Sequence, residues 1–266
     1  MTADNIKIDT SKPHPARMYD YYLGGKDNYE VDREAAEQAI ARFPEIKQGA
    51  RTNRAFMHRA ARWLADQGIR QFLDIGTGIP SEPNLHQIVQ QTAPEARIVY
   101  VDSDPIVLRH GEALLRSTPQ GSTDFILADV RDPGKIIEQA RTTLDFNKPI
   151  ALSLVALLHF VSDEYNPTGI VEELVSNLPS GSFLVLSHVT GDFAPDTWDS
   201  IVSIYRKGGT PAQVRSRPEV AQFFEGLDLT DPGIVPATDW HPDNTQPAAP
   251  SGQAPVPLYA GVGRKA

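Results

Sequence analysis

The sequence predicts a doubly wound α/β fold with a mostly parallel sheet, an antiparallel C-terminal edge and an N-terminal helical cap. Three observations carry this. From Gln71 onward, apolar strand-like runs alternate with segments of helical periodicity. The central runs are almost continuously apolar, as strands are when helices cover both faces of a parallel sheet. The first run passes straight into Asp74-Ile75-Gly76-Thr77-Gly78. Two glycines so placed let the backbone turn sharply and approach a ligand, which is how open α/β sheets begin an adenosine site.

The elements follow in order. Residues 1 to about 14 read as a polar arm. A short helix starts at Pro15, shares one side among Met18, Tyr21, Tyr22 and Leu23, and stops at Gly24-Gly25. A second helix is expected near Asp32 to Arg42 and a third from Asn53 to Asp66, where Phe56, Met57, Ala60, Trp63 and Leu64 recur at helical spacing. Strands are expected near Gln71–Ile75, Arg97–Val101, Asp124–Leu127, Pro149–Val155 and Ser182–His188. Helices between them fall near Asn84–Gln91, Pro105–Leu115, Pro133–Thr143 and Thr168–Asn177. Trp198, Ile201, Val202 and Tyr205 then form a helical stripe, and another helix lies near Pro218–Glu225. A strand near Ile234–Asp239 and one at Leu258–Gly263, joined by the Pro-rich segment 242–257, would form the antiparallel edge. Residues 1–66 read as arm and helical cap and 67–266 as the ligand-binding unit, the two forming one compact body.

With 266 residues the chain can bury a large core. Its net charge of −9 speaks against a nucleic-acid or anionic-membrane partner and for a small molecule or a protein. The absence of cysteine removes disulfides and thiolate chemistry, and the histidines and carboxylates show no metal-ligand spacing. The start lacks a leader pattern and no run is long enough to span a bilayer, so a cytoplasmic protein is expected.

Three aspartates fall at the ends of three successive predicted strands: Asp74, Asp102 and Asp129. In a parallel sheet these ends lie on one side, where ligands bind. Asp102 stands at the offset from which a carboxylate accepts both ribose hydroxyls, while Asp129 would accept from an adenine amino group beside the Val130 amide. Capping or turn formation is the alternative for each one singly.

The stretches Asp74-Ile75-Gly76-Thr77-Gly78, Tyr100-Val101-Asp102, Ala128-Asp129-Val130 and Ala156 to Asp163 resemble the successive motifs of class I S-adenosylmethionine-dependent methyltransferases. Ala16 to Asn28, Gln71 to Pro80, Tyr100 to Pro105, Leu186-Ser187-His188 and Ala260 to Lys265 further resemble an actinobacterial S-adenosyl methyltransferase family formerly described as a domain of unknown function. The resemblance spans nearly the whole chain. It implies a Rossmann-like fold, S-adenosyl-L-methionine as cofactor with S-adenosyl-L-homocysteine as product, and a small-molecule acceptor. The cofactor residues it implies are Asp74, Gly76, Thr77, Gly78, Asp102, Ser103, Asp129 and Val130, with Tyr22, Asn28 and Arg54 from the cap. Ile79-Pro80 departs from the general pattern by standing where a third glycine often follows, which disfavours a pyrophosphate-bearing dinucleotide.

Methyl transfer needs positioning and exclusion of water, and a base only if the acceptor arrives protonated. His159 is the candidate base, with His188 a second; each also reads as a structural histidine. Tyr19, Tyr21 and Tyr22 could offer aromatic faces to the sulfonium or pack the helix, and Asn28, Arg51 and Arg54 could hold the methionine carboxylate. The Trp198–Tyr205 stripe reads as core, as recognition surface, or as a lid hinged at Gly208-Gly209. A protein that senses the cofactor without transferring methyl, and a nicotinamide-dependent oxidoreductase, are the alternative functions.

Overall fold

The computed structural model describes residues 9–114, 116–243 and 256–266. The polar arm before Asp9 and most of the Pro-rich segment 242–257 lie outside the described residues. Five parallel strands form the body of the sheet: β1 (Gln71–Ile75), β2 (Arg97–Asp102), β3 (Ser122–Leu127), β4 (Ala151–Val155) and β5 (Phe183–Val189). Their spatial order is β3-β2-β1-β4-β5, so the chain winds outward from β1, then returns to its other side. The crevice at the carboxyl ends therefore opens beside β1.

The antiparallel edge is present in a different form from that expected. Strand β8 (Leu258–Arg264) pairs along the whole length of β5, and its other side carries two short strands, β6 (Asp228–Leu229) and β7 (Val235–Pro236). The strand expected over Ile234–Asp239 shrinks to β7 because Pro236 has no amide to extend the ladder and the Asp239 amide turns back onto the Pro236 carbonyl.

Helices cover both faces. On one face Ile136, Ile137 and Ala140 of α6 (Pro133–Ala140) and Ile170, Val171 and Leu174 of α7 (Pro167–Ser176) pack with Leu73, Val99, Leu152 and Leu184. On the other, Phe56, Ala60, Leu64 and Ala65 of α3 (Ile46–Asp66) join α4 (Leu85–Thr92) against Phe72, Ile98 and Tyr100. Helix α3 begins at Ile46, two turns before the expected Asn53, because its first part packs elsewhere. Ile46 and Ala50 join Met18 and Tyr22 of α1 (Pro15–Leu23) and Ala36 and Ala39 of α2 (Glu30–Arg42) in a separate apolar cluster. Ile204 and Tyr205 of α8 (Pro195–Lys207), which follows β5, pack onto the same cluster. Helices α5 (Pro105–Leu114) and α9 (Arg217–Gln222) complete the set. None of the described helices is long and apolar enough to cross a membrane.

Met18, Tyr21, Tyr22 and Leu23 of α1 all meet the cap cluster as expected, Tyr21 only partly and with its hydroxyl donating to Glu37, while Arg17 and Asp20 are buried as well. Buried Arg17 fixes the helix: its Nε donates to Asp104 at 3.0 Å, and Nη1 lies 3.6 Å from Asp32. Asp32 in turn accepts the amides of His14 and Tyr29, both at 2.8 Å. Asp104 stands two residues beyond Asp102, so this ion cluster ties the cap to the carboxyl end of β2.

A buried cluster of this kind is costly to break, since removing one partner leaves uncompensated charge. Arg17→Met is expected to lower unfolding free energy by about 3 to 5 kcal/mol in chemical denaturation. A loss below about 1 kcal/mol, the scale of an exposed pair, would show that the cluster does not hold the cap.

Candidate active site

The carboxyl ends of β1, β2, β3 and β4, roofed by α1, α3 and α8, enclose a cavity of about 450 Å³. Asp74, Gly76, Thr77, Gly78, Asp102, Ser103, Asp129, Val130, Tyr22, Arg54 and His159 all line it. Asn28 and Arg51 do not. Asn28 belongs to a turn that the sequence misled us about: its amide donates to Asp20 Oδ2 at 2.7 Å and to the Gly25 carbonyl at 3.2 Å. Gly24 caps α1 at φ +85°, and a Cβ on Gly25 would lie 1.9 Å from Asp20 Oδ1. Gly24-Gly25-Lys26-Asp27-Asn28 thus folds back onto Asp20, and Asn28 serves that turn. Arg51 is exposed on α3.

The β1 turn is built for close approach. Gly76 and Gly78 have φ of +77° and +69°, which glycine alone adopts without strain. The Gly78 amide donates to Asp102 Oδ2 at 2.8 Å, and the Asp104 amide to its Oδ1 at 2.9 Å, so the carboxylate at the end of β2 is oriented before any ligand arrives. Thr77 Oγ1 donates to the Asp74 carbonyl at 2.9 Å and lies 3.2 Å from Asp74 Oδ2. Burial pushes the Asp74 carboxyl up to about 6, against the pull of the Thr77 hydroxyl and the Arg54 charge. Burial also raises Asp102, against the Asp104 and Gly78 amides. Asp129 differs: Arg131 donates to both its oxygens, holding it below the usual carboxylate range, and the guanidinium lies 4.8 Å from the Tyr165 ring centre. Arg54 lines the cavity while donating to the carbonyls of Ser81 and Pro83.

The segment after β4 forms the opposite wall. Ala156 takes φ +54°, a conformation that costs a residue with a Cβ about 1 kcal/mol or more, and its amide donates to Ser187 Oγ at 2.9 Å. From there a directed chain of hydrogen bonds crosses to the cap: Ser187 Oγ to Asn53 Oδ1, Asn53 Nδ2 to Tyr19 Oη, and Tyr19 Oη to the Ala50 carbonyl, at 2.6, 2.9 and 2.9 Å. Buried Arg215 clamps the rest, donating to the carbonyls of Leu158 and Val161, to His188 Nε2 at 2.8 Å and to Asp163 Oδ1 at 2.6 Å. Sequence reasoning missed Asn53, Ser187 and Arg215 as site-building residues; the only signal was Ser187 within the Leu186-Ser187-His188 motif.

His188 is removed as a base by its partners. Arginine only donates and a carbonyl only accepts, so Nε2 receives from Arg215 and Nδ1–H gives to the Val189 carbonyl at 2.7 Å. Burial and then the Arg215 charge push it down to about 3. His159 sits 5.5 Å away, ring to ring, with Nδ1 buried and unpartnered. Burial, His188 and Arg215 hold it well below its ordinary value. An imidazolium is disfavoured there, so His159, the candidate base, stands in the cavity wall as a neutral and weakly basic ring.

The turn also discriminates between cofactors. A capping box, Asn84 with Gln87, closes the first turn of α4, and three carboxylates face the cavity. The capping box leaves fewer free amides for a pyrophosphate, and the carboxylates repel one while favouring a ligand with sulfonium and ammonium charge.

Comparison with known proteins agrees. The model of a family described as S-adenosyl methyltransferase matches residues 1–266. The chain belongs to this family. The methyltransferase is 46% identical to a Streptomyces avermitilis protein of the DUF574 family, with TM-score 0.93, covering 98% of this chain and 100% of that one. It is 38% identical to a Thermobifida fusca protein assigned as a methyltransferase, with TM-score 0.88, covering 97% and 96%. At 15% identity and TM-score 0.52 it shares only the fold with the plantazolicin methyltransferase BpumL, over 94% and 96% of the two chains. Among curated proteins no sequence match is found. The enzyme is thus a methyltransferase dependent on S-adenosylmethionine, and the oxidoreductase and non-catalytic sensor alternatives fall away.

Two outcomes test these electrostatics. An acid whose folded value is raised binds its proton more tightly when folded, so Asp74 costs stability above about pH 6 and nothing below about pH 4. Asp74→Asn should therefore stabilise the ligand-free protein by up to about 3 kcal/mol at pH 7, shrinking towards zero at pH 4, in paired urea titrations. Histidine-labelled NMR should show the His159 and His188 rings staying neutral near pH 6.5, where an ordinary histidine titrates. A ring that titrates there would show that its surroundings do not hold it neutral.

Proposed function

We propose that the enzyme transfers the methyl group of S-adenosylmethionine to a small-molecule acceptor held between the strand ends and α8. The observation that carries this is the single cavity, which continues from three oriented carboxylates to the residues of α8. Asp102, prearranged by two amides, takes the ribose hydroxyls. Asp129 and the Val130 amide take the adenine edge, with Arg131 steadying the carboxylate. Asp74 receives the methionine ammonium, and Arg54 faces its carboxylate. Gly76, Thr77, Gly78 and Ser103 shape the passage between them, and Tyr22 closes it from the cap. In the transfer, the acceptor's lone pair forms a bond to the methyl carbon as the carbon–sulfur bond breaks towards sulfur. The sulfonium charge disperses, so positioning and dryness supply the rate.

In this reading residues 1–66 act as a cap on the catalytic unit 67–266, with α8 completing the roof from the second. The relatives in Streptomyces and Thermobifida support an actinobacterial enzyme, for which we infer a cytoplasmic location.

Calorimetry with S-adenosylmethionine and S-adenosylhomocysteine is the direct test. Both should bind, and Asp102→Ala should weaken both by tenfold or more. Because Asp74 must be ionised to meet the ammonium, affinity should fall roughly tenfold between pH 6.5 and pH 5. Affinity that does not change over this interval would remove Asp74 from the ammonium site.

A further inference from the structure

We propose that the acceptor lobe of the cavity takes an uncharged, flat, largely apolar molecule carrying a hydrogen-bond acceptor oxygen; this rests on the methyltransferase reading of the same cavity. The cavity is divided by charge. Its charged side chains are Arg54, Asp74, Asp102, Asp129 and Arg131, which belong to the strand ends and the turn beside them. From α8 and the 209–214 segment, no charged side chain lines the cavity. What α8 and its neighbours supply instead is Trp198, Ile201, Val202 and Tyr205, facing Phe43 and Phe160.

None of the charged residues of α8, Asp196, Asp199, Arg206 and Lys207, lines the cavity, and the last three border a surface depression that shares Val202 with it. A carboxylate or phosphate entering this lobe would lose its water with no guanidinium or ammonium to replace it, and an ammonium would find no carboxylate. The rings favour a flat occupant: Phe43 and Trp198 meet at 5.8 Å and Phe160 and Tyr205 at 5.3 Å, both tilted, leaving aromatic faces and edges along one wall.

The tyrosine pair, not the indole nitrogen, sets the polar end of the ligand. Trp198 Nε1 is buried away from the cavity, so the indole presents only its apolar ring to an occupant. The hydroxyls of Tyr22 and Tyr205 lie 3.2 Å apart, so one donates to the other and the second hydroxyl hydrogen is left to give, while burial pushes Tyr205 up to about 12 and keeps the pair uncharged. An oxygen on an otherwise apolar ring system accepts that hydrogen without needing an ion.

The test uses three probes of one shape on protein saturated with S-adenosylhomocysteine: 2-naphthol, 2-naphthoate and 2-naphthylmethylammonium. Calorimetry should show 2-naphthol binding at least tenfold more tightly than either ion. Val202→Glu, at a half-buried position, should weaken 2-naphthol at least tenfold while uptake of S-adenosylhomocysteine shows that the variant is folded. Either ion binding as tightly as 2-naphthol, or no 2-naphthol binding to protein that has taken up S-adenosylhomocysteine, overturns the proposal. Failure to take up S-adenosylhomocysteine at all overturns the cofactor assignment beneath it, and the acceptor proposal falls with it.

Discussion

Arg17 lies buried between Asp104 and Asp32, and the active-site roof depends on that placement. A guanidinium in the protein interior is held only if its counter-charges are close and well oriented. Here one counter-charge comes from the loop after β2 and the other from the start of α2, so satisfying the arginine fixes a helix of the cap against the ligand-binding end of the sheet. The hydrogen-bond chain from Ala156 through Ser187, Asn53 and Tyr19 supplies a second tie on the other side of β1. Between the two ties the cavity has a defined height, and the aromatic residues of α8 close its end.

How far this was readable from sequence follows from the range of each interaction. Asp74, Asp102 and Asp129 stand beside their own strands, and once the strands are parallel their ends share one edge; alternation of elements was enough to gather them. Asn28 misled because Gly-Gly-Lys-Asp-Asn looks the same whether it binds a ligand or folds onto Asp20, and only the packing of Gly25 against that carboxylate separates the two. Arg215 carried no local signal at all, since its partners lie more than twenty-five residues away in the chain. The early start of α3 and the two-residue strands β6 and β7 likewise depend on neighbours distant in sequence, the cap cluster for one and β8 for the others.

His159 illustrates a different limit. Its position after the fourth strand correctly brings it to the cavity, but position does not set basicity. The clamp of Arg215 through His188 places positive charge where an imidazolium would have to form, and burial adds to the penalty. The same clamp shapes the wall of the site, so the chemistry available to one histidine is the consequence of how its loop is held.

The strand-end carboxylates have a further consequence when the reaction is followed through. That end of the cavity carries one more carboxylate than guanidinium, with Asp74, Asp102 and Asp129 facing Arg54 and Arg131. S-adenosylmethionine, with its sulfonium, ammonium and carboxylate, brings one net positive charge and leaves the enclosure balanced. Once the methyl group departs, the thioether is neutral and the balance is lost. In the proposed reading, the charge lost in the transfer weakens the hold of these carboxylates on the spent cofactor.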